Sequence, residues 1–186
     1  MGRVSQAQAQ ENRKRVVEMA SQLFREQGTS VSVADLMKAA GLTHGGFYKQ
    51  FASKEALIDE AVTHAFHELA ERRATTLEDN GGERTAAQQA MIASYLSARH
   101  RDSPAAGCPA AALAGDMARD PGALGAHHTY ADGVSDFADW LDTDDQDGIV
   151  RLCTMLGAVV LARATKDSPL SDEILDAARA SLTPTP

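Results

Sequence analysis

The stretch AAGLTHGGFYKQFASKEAL, residues 39–57, decides the fold because it places a glycine between two very short helical segments. Gly41 permits the positive φ angle of a tight turn, and Leu42 can return the chain to the core. Two short helices joined in this way form a helix-turn-helix. Gly45 and Gly46 each cost about 1 kcal/mol relative to alanine inside a helix. Such residues are useful where a large surface must approach the second helix closely.

The residues that follow the turn carry groups able to contact nucleic acid. Thr43, His44 and Lys49 can reach phosphates or base edges, and Tyr48 can donate its hydroxyl to a phosphate. Lys54 begins the next predicted helix, where free backbone N–H groups already favour an anion. The spacing favours this interpretation. It also fits a helical hairpin whose glycines only allow tight packing, so both interpretations stay open at this point.

The pattern along the whole chain predicts an all-α protein of about nine helices. Apolar residues recur at three- and four-residue steps from Asn12 onward, after a polar arm at residues 1–10 that is expected to be flexible. Ser32, Thr43 and Ser53 are predicted N-caps, and a turn is expected at 120–122. Helices are expected at residues 12–27, 33–40, 44–51, 54–78, 84–101, 109–119, 123–141, 149–165 and 172–182.

The formal net charge of −8 is unevenly distributed along the chain. Residues 1–54 carry eight Lys/Arg and four Asp/Glu, a net charge of +4. Residues 55–186 carry ten Lys/Arg and twenty-two Asp/Glu, a net charge of −12. A basic front joined to an acidic rear suggests a phosphate-facing module on a separate body, although two solvated surfaces can also differ by chance.

The composition also predicts where the protein works. Two cysteines, Cys108 and Cys153, make no disulfide framework, which fits a reducing cytoplasm. The N-terminus is polar and shows no signal-peptide pattern. The longest apolar run, residues 156–162, is too short to span a bilayer. We therefore expect a cytoplasmic protein with no membrane partner.

The run Gly41–Leu57, preceded by Ser32–Ala40, resembles the DNA-binding signature of the TetR family of bacterial transcriptional regulators. The resemblance covers residues 12–60. Two residues depart from the family pattern. Met37 stands where the family usually has alanine, which predicts altered packing between the first two helices, and Gly46 replaces a common small side chain, which puts a base contact there in doubt.

The resemblance implies a two-domain fold. Residues 1–55 would form a three-helix DNA-binding domain with a helix-turn-helix, and residues 56–186 a helical ligand-binding and dimerisation domain. It also implies roles for individual residues. Phosphate contacts would come from Ser32, Thr43, Tyr48 and Lys54, the residues nearest the bases would be His44, Gly45 and Lys49, and Phe47 and Phe51 would belong to the core.

The function that the resemblance implies is a ligand-responsive or thiol-responsive transcriptional regulator, most often a repressor. It would bind a palindromic double-stranded DNA operator as a homodimer and release it when a small-molecule effector binds the rear domain. No enzyme activity, cofactor or metal is expected. Two other functions stay open: a ligand-binding protein of the same fold that has lost DNA recognition, and an enzyme that uses Cys108 as its nucleophile.

Two sets of rear residues are candidates for the effector pocket and the dimer surface. The pocket set mixes aromatic, methionine and polar side chains, as small-molecule cavities do: Met91, Tyr95, Cys108, Met117, His127, Tyr130, Phe137, Trp140 and Met155. The dimer set lies on the last two predicted helices and includes small residues that allow close approach: Gly157, Ala158, Leu161, Leu170, Ile174, Leu175 and Ala178.

Cys108 is the most distinctive rear residue because it directly precedes Pro109, a favoured first residue of a helix. A thiol at a helix N-terminus has a stabilised thiolate, and this Gly-Cys resembles the helix start of some TetR-like regulators that sense electrophiles or oxidants. Cys108 is therefore a candidate sensor, with a buried structural thiol as the alternative. Cys153, in an apolar run, is predicted to be core.

The histidines of the rear helices raise the question of a metal site. His64 and His67 share neighbouring helical turns with Glu68 and Glu71, which fits a metal site less well than a salt-bridged, solvated face. His127 is followed directly by a second histidine, so the two rings diverge and do not form a ligand pair.

Overall fold

The structure, a computed structural model, describes residues 6–119 and 124–183, and every regular element in those ranges is helical. The all-α prediction is therefore confirmed. The α-helices are α1 Gln6–Gln27, α2 Val33–Ala39, α3 Lys54–Asp79, α4 Arg84–Tyr95, α5 Ala98–Asp102, α6 Pro109–Arg119, α7 Leu124–Leu141, α8 Gly148–Ala164 and α9 Leu170–Leu182. Two 3-10 helices complete them, η1 at His44–Lys49 and η2 at Pro104–Ala106.

The first helix begins earlier than the apolar pattern indicates. The predicted start is Asn12, whereas α1 begins at Gln6, so residues 6–10 are helical rather than part of a flexible arm. These residues are all alanine or glutamine, which are good helix formers, and they are exposed. An exposed first turn needs no apolar residue, which is why periodicity alone misses it.

The helix predicted at 84–101 is in fact two helices. The chain leaves the helical conformation at Leu96, and Ser97 caps α5 by accepting a hydrogen bond from the backbone N–H of His100. This break turns the segment that leads to Cys108 back toward α1 and α3. The turn predicted at 120–122 lies outside the described residues.

The front of the molecule is a small unit of α1, α2, η1 and the start of α3. Phe47 and Phe51 stack with ring centroids 5.4 Å apart and are both buried, which confirms them as core. The guanidinium of Arg13 lies 4.3 Å from the Phe51 ring centroid and donates to the backbone oxygen of Gln50 and to Glu60. One arginine of α1 therefore holds both the end of η1 and the start of α3.

The rear body is built where α3 packs on α7 and α7 packs on α8. An ideal Cβ at Gly133 would lie 2.3 Å from the Phe66 ring, and one at Gly148 would lie 2.0 Å from the backbone oxygen of Ala138. Both glycines are therefore required for these helices to approach so closely. Buried apolar side chains join the front unit and the rear body in one core. Among the described helices, none has the length and apolar character to cross a membrane.

Candidate functional site

The turn at Gly41 has the geometry that the sequence predicts. Gly41 has φ of +70°, and an added Cβ would meet no described atom within 4 Å. The N–H of Leu42 donates to the Met37 oxygen at 2.8 Å, and the N–H of Gly41 donates to the Lys38 oxygen at 3.0 Å. Both bonds satisfy carbonyls at the end of α2, as a glycine C-terminal motif does. The turn fixes how η1 leaves α2.

Two of the three predicted helix caps form. The Ser32 hydroxyl accepts from the backbone N–H of Asp35 at 3.1 Å, and the Ser53 hydroxyl accepts from Ala56 at 3.2 Å. Ser32 also donates to the Asp35 carboxylate at 2.6 Å, so its hydroxyl proton is already engaged. Thr43 has extended backbone angles but makes no side-chain capping bond. The Thr43 cap was therefore wrong, because a 3-10 helix presents its first N–H groups in a different geometry.

The exposed face of η1 carries the predicted nucleic-acid residues. His44, Gly45 and Lys49 are exposed, and the Tyr48 side chain is 69% exposed. The neighbouring Phe47 is fully buried and holds the Tyr48 ring edge-on at 5.1 Å between centroids. The short helix thus has one anchoring residue and an outer face that does no packing.

The two glycines of η1 have different surroundings. An added Cβ at Gly45 would meet no described atom within 4 Å, and its φ is not positive. At Gly46 an added Cβ would lie 3.5 Å from Cε of Met37, an ordinary contact. The two departures from the family pattern are therefore neighbours: buried Met37 lies beneath Gly46. The outward face at Gly45 is unaffected by this packing.

Arg25 joins the front unit to the rear body. It lies in the last turn of α1, and its side chain is only 1% exposed. Its guanidinium donates to Glu68 of α3 at 2.7 Å and to the backbone oxygen of Gly107 at 3.2 Å. Gly107 directly precedes Cys108. Sequence reasoning missed this residue, although it follows Ser21 by one helical turn on the inward face of α1.

A cavity of about 670 Å³ lies beside this junction, between α3, α4, α5 and the start of α6. Three of the nine predicted pocket residues line it: Met91, Tyr95 and Cys108. A larger cleft of about 850 Å³ lies at the other end of α4, where Gln88 and Arg151 lie among several aspartates. None of the predicted pocket residues lines that cleft.

The other six predicted pocket residues lie elsewhere in the rear body. Phe137 and Met155 are fully buried between helices, and Met117 is also buried. The Tyr130 hydroxyl donates to the backbone oxygen of Ala110 at 2.6 Å, which ties α7 to α6. The remaining two are partly buried on α7: His127 and Trp140. Residue type alone does not separate core side chains from cavity-lining ones.

His100 clamps the two ends of the segment that carries Cys108. Its Nδ1 lies 2.7 Å from the backbone oxygen of Tyr95, and its Nε2 accepts from the backbone N–H of Cys108 at 3.1 Å. Burial lowers the pKa of His100 to about 4, so the ring is neutral and carries its proton on Nδ1. Both nitrogens contact backbone groups, so this ring is not placed as a base for the thiol.

The aromatic and basic groups around Cys108 are buried with it. Burial, followed by the adjacent Cys108 thiol, raises the pKa of Tyr95 well above its usual range. Arg163 donates to the backbone oxygens of His100 and Arg101 at 3.1 Å each, and burial lowers its pKa. The junction therefore places a buried thiol and a protonated phenol close to guanidinium groups.

One face of α8 is apolar and exposed. Val150 is 62% exposed and Leu161 is 56% exposed, and Ile149 and Val160 are exposed beside them. Cys153 is also exposed. Its prediction as core was wrong, because α8 is apolar on two sides and only one side faces the protomer. The signal was available in the three- and four-residue spacing of these outward residues.

The predicted dimer set divides between the two sides of α8 and α9. Gly157, Leu161 and Leu170 are exposed, and Ile174 and Ala178 are partly buried. Ala158 and Leu175 are buried within the protomer and face its own core, so neither can contact a second chain in this conformation. The prediction that Ala158 and Leu175 lie on the dimer surface is therefore wrong, because they are on the side of their helices that faces the protomer core.

The histidines of α3 form the salt-bridged face that the sequence favours. His64 lies 3.5 Å from Glu68, and His67 lies 3.5 Å from Glu71. In the ranges that the structure describes, no group of three His, Cys, Asp or Glu side chains is placed to hold a metal ion.

Comparison with known proteins agrees with this geometry. Residues 16–61 match the family model of bacterial regulatory proteins, tetR family. The chain is 39% identical over 61 residues to the HTH-type transcriptional regulator AcrR of Shigella flexneri, covering 32% of this chain and 28% of that protein. It is 40% identical over 68 residues to the HTH-type transcriptional repressor DhaR of Mycobacterium sp. (strain GP1), covering 36% and 34%. The sequence similarity to TetR-family regulators is therefore confined to the N-terminal third of the chain.

The rear body is supported at the level of fold. A TetR-family transcriptional regulator from Agrobacterium tumefaciens superposes with a TM-score of 0.77 at 21% identity, covering 95% of this chain and 100% of that one. The matches to the two curated relatives span only about a third of their length. The shared sequence thus lies in the N-terminal third of the chain, and the rear body has the same overall fold as this solved regulator.

Proposed function

We propose that the protein is a transcriptional repressor that binds a palindromic double-stranded DNA operator as a homodimer and releases it when the rear body is modified or bound by a small molecule. The observation that carries this proposal is the outer face of η1. Tyr48, Lys49, His44 and Gly45 point away from the core on a helix that buried Phe47 holds in place. A second helix of a helix-turn-helix contacts base edges with such residues.

Gly45 strengthens the DNA interpretation over the helical-hairpin interpretation. A glycine kept for tight packing would have a neighbour where its Cβ would be, as Gly148 has at 2.0 Å. Gly45 has none within 4 Å among the described atoms, and its φ is not positive. No internal cause for a glycine is present, so an external surface that approaches the backbone closely is the better explanation.

Four of the seven predicted DNA residues would contact the DNA backbone. Tyr48 and Thr43 expose their hydroxyls, and Lys54 is the first residue of α3, where a phosphate would meet both an ammonium group and free N–H groups. Ser32 has its hydroxyl engaged by Asp35, so it would contact a phosphate through its backbone N–H. His44, Gly45 and Lys49 would then lie nearest the bases.

The exposed face of α8 supports a homodimer. Apolar side chains from Ile149 to Leu161 share this face with Gly157, where an added Cβ would meet no described atom within 4 Å. A second copy can therefore approach the backbone closely. A contiguous exposed apolar face of this kind marks an interaction surface. Two helix-turn-helix units in one dimer would read half-sites about 34–36 Å apart or a multiple of that distance.

Arg25 supports a physical connection between the cavity and the DNA-binding unit. It belongs to α1 of the front unit, yet its guanidinium is held by Gly107 and Glu68 of the rear body. A ligand in the cavity, or an adduct on Cys108, would displace the backbone at Gly107 and thus the end of α1. Because the spacing of the half-sites is rigid, a small change in the distance between the two units would release the operator.

The proposal is tested by a mobility-shift titration with DNA that flanks the protein's own gene. We expect tight binding that weakens steeply with salt, because phosphate contacts release counterions. Tyr48→Phe removes one hydroxyl and Lys54→Ala removes one charge. Each should weaken binding about three- to thirtyfold, as one lost hydrogen bond or ion pair to a phosphate does.

Lys166→Ala is the matched control for Lys54→Ala because Lys166 is exposed in the rear body, where it pairs with Asp102. It should leave operator affinity unchanged. If the wild type binds neither this DNA nor a random-sequence pool, at low salt and without effector, the proposed repressor function is wrong and the ligand-binding alternative takes its place.

The dimer is tested separately by sedimentation velocity. Leu161→Glu places a charge in the middle of the exposed α8 face and should convert the dimer to a monomer. Ala74→Glu adds the same charge at an exposed position of α3 and should leave the dimer intact. A wild type that sediments as a monomer at operator-binding concentrations would contradict the dimer.

A further inference from the structure

The wall of the larger cleft, about 850 Å³ in volume, contains a buried arginine without an ionic partner. Arg151 of α8 lines this cleft and is only 2% exposed. Arg25 and Arg73, the other buried arginines in the described ranges, each form a salt bridge with a carboxylate. Arg151 forms none with any residue that the structure describes. Because buried charges are nearly always paired, an anionic group in the cleft would supply the missing partner.

One edge of the Arg151 guanidinium is held in place and the other edge is free. Its Nη1 donates to the backbone oxygen of Leu141 at 2.7 Å and to Oε1 of Gln88 at 3.3 Å. Its Nε is buried and has no acceptor, and its Nη2 donates to no described residue. The edge formed by Nε and Nη2 can bind both oxygens of a carboxylate in a bidentate pair. The contacts of Nη1 therefore orient an unused carboxylate-binding edge.

The same cleft also carries negative charges without ionic partners. Four exposed aspartates line it: Asp139, Asp142, Asp144 and Asp145. None of them forms a salt bridge within the described ranges, and no three acidic, histidine or cysteine side chains there are placed to hold a metal ion. Burial lowers the pKa of Arg151, and the charge of Asp142 acts against this lowering, so these two groups are near each other. One oxygen of Asp142 accepts from the backbone N–H of Gly148 at 2.9 Å. The cleft thus offers a positive and a negative group side by side.

We infer that this cleft binds a small zwitterion of the α-amino acid class, whose carboxylate pairs with the free edge of Arg151 and whose ammonium group faces Asp142. The two protein charges are near each other, so the two ligand charges must be close together, as they are across one carbon of an α-amino acid. A simple anion would be repelled by the four aspartates, and a simple cation would leave Arg151 unpaired. This site is separate from the cavity beside Cys108, and the inference does not depend on the proposed repressor function.

The first experiment follows thermal unfolding of the full-length protein with each standard L-amino acid at millimolar concentration. We expect at least one of them to raise the Tm, by about 5–10 °C at about one hundred times its Kd. The N-acetyl derivative of that amino acid lacks the ammonium charge, and its amide lacks the carboxylate, so each should raise the Tm much less. If no amino acid raises the Tm, the inference is overturned. It is also overturned if the N-acetyl derivative or the amide is as effective as the amino acid, because the cleft would then bind a simple anion or a simple cation.

The second experiment measures the affinity of the amino acid found in this way by isothermal titration calorimetry. Asp142→Asn removes the charge of Asp142 but keeps a side-chain oxygen for the N–H of Gly148. We expect the affinity for the amino acid to fall about tenfold, as the loss of one charge-assisted hydrogen bond does, and the affinity for its N-acetyl derivative to rise. Asp132→Asn is the matched control because Asp132 is exposed on α7 and lies outside the cleft. It should change neither affinity.

Arg151→Lys tests the carboxylate-binding edge. Lysine keeps a positive charge but has no planar edge for a bidentate pair, so the affinity for the amino acid should fall at least about tenfold. If circular dichroism shows that this variant does not fold, Asp142→Asn decides the question alone. If Asp142→Asn binds the amino acid as tightly as Asp132→Asn does, the amino acid occupies another site and the inference is overturned. Operator binding is decided by its own titration in every case.

Discussion

Two glycines of the rear body and one of η1 have opposite surroundings: at Gly133 and Gly148 a Cβ would collide with another helix, whereas at Gly45 it would meet no described atom within 4 Å. At Gly133 and Gly148, glycine is a requirement of the protein's own packing. At Gly45, glycine leaves space that no described atom of the protein occupies. The comparison teaches that an empty space beside an exposed glycine is evidence about a partner.

The largest effect is expected where the fold requires glycine. Gly148→Ala would place a Cβ 2.0 Å from the Ala138 oxygen, so the junction of α7 and α8 must separate. We expect a loss of at least about 3 kcal/mol in the free energy of unfolding, at the upper end for overpacked sites. Urea unfolding followed by circular dichroism measures it. Unchanged stability would show that this helix crossing is not tight.

A smaller loss of stability is expected at Arg25, where the front unit meets the rear body. The same substitution should also change the response of operator binding to thiol modification. Arg25→Met leaves Glu68 and the Gly107 oxygen without their buried donor. Since Glu68 is partly exposed, the cost should be about 2–3 kcal/mol, below the range for a fully buried pair. Arg15→Met, exposed on the same helix, should cost less than about 0.5 kcal/mol.

A binding measurement tells whether Arg25 transmits the response from the cavity to the DNA-binding unit or only stabilises the fold. If Arg25 carries the response, Arg25→Met should still bind the operator at a temperature where it is folded, but N-ethylmaleimide should no longer weaken that binding. A variant that responds as strongly as the wild type would show that the cavity reaches the front unit by another route. The readout is the ratio of operator affinities before and after modification.

His100, which bonds the backbone at both Tyr95 and Cys108, makes the stability of the protein depend on pH in the acid range. The folded protein holds the pKa of His100 near 4, against about 6.5 when unfolded, so the unfolded chain binds more protons between these values. Stability contributed by the neutral ring is present above pH 6.5 and is lost as pH falls toward 4. From pH 7.5 to pH 5 the loss should be about 2 kcal/mol.

The control for this prediction is a second histidine. His100→Gln should remove about 2 kcal/mol of the pH dependence in urea unfolding curves. His67→Gln, on the exposed face of α3 beside Glu71, should leave that dependence as it is in the wild type. Equal slopes in all three proteins would mean that His100 is already protonated in the fold.

What could be predicted from the sequence was mostly local. The positive φ of Gly41 and the caps at Ser32 and Ser53 depend on residues a few positions apart, and all three are found in the structure. Phe47 and Phe51 are also correctly predicted as core, since the segment from η1 to the start of α3 carries few other large apolar residues. Short-range rules are sufficient wherever the structure is decided within one or two turns.

What could not be predicted depends on contacts between distant segments. Leu96 is an ordinary helix former, and the break there is made by packing of the following segment against α1 rather than by its own preference. Cys153 was misplaced because an apolar helix gives no sign of which side is buried until its neighbours are known. The contacts of Arg25 join residues up to 82 positions apart, and no short-range pattern reports them.

Gly45→Ala should have the smallest effect on stability. It is also the most direct test of whether the space beside Gly45 is kept for a partner. Because no described atom lies within 4 Å of the new Cβ, the fold should gain up to about 0.5–1 kcal/mol from reduced freedom of the unfolded chain. Under the proposed function, operator affinity should nevertheless fall, since the methyl group would occupy the space where DNA is proposed to approach η1. Gly46→Ala, whose new Cβ would touch Met37 inside the protein, serves as the neighbour for comparison. A Gly45→Ala protein that is more stable and binds the operator as tightly as the wild type would show that DNA does not approach this position closely.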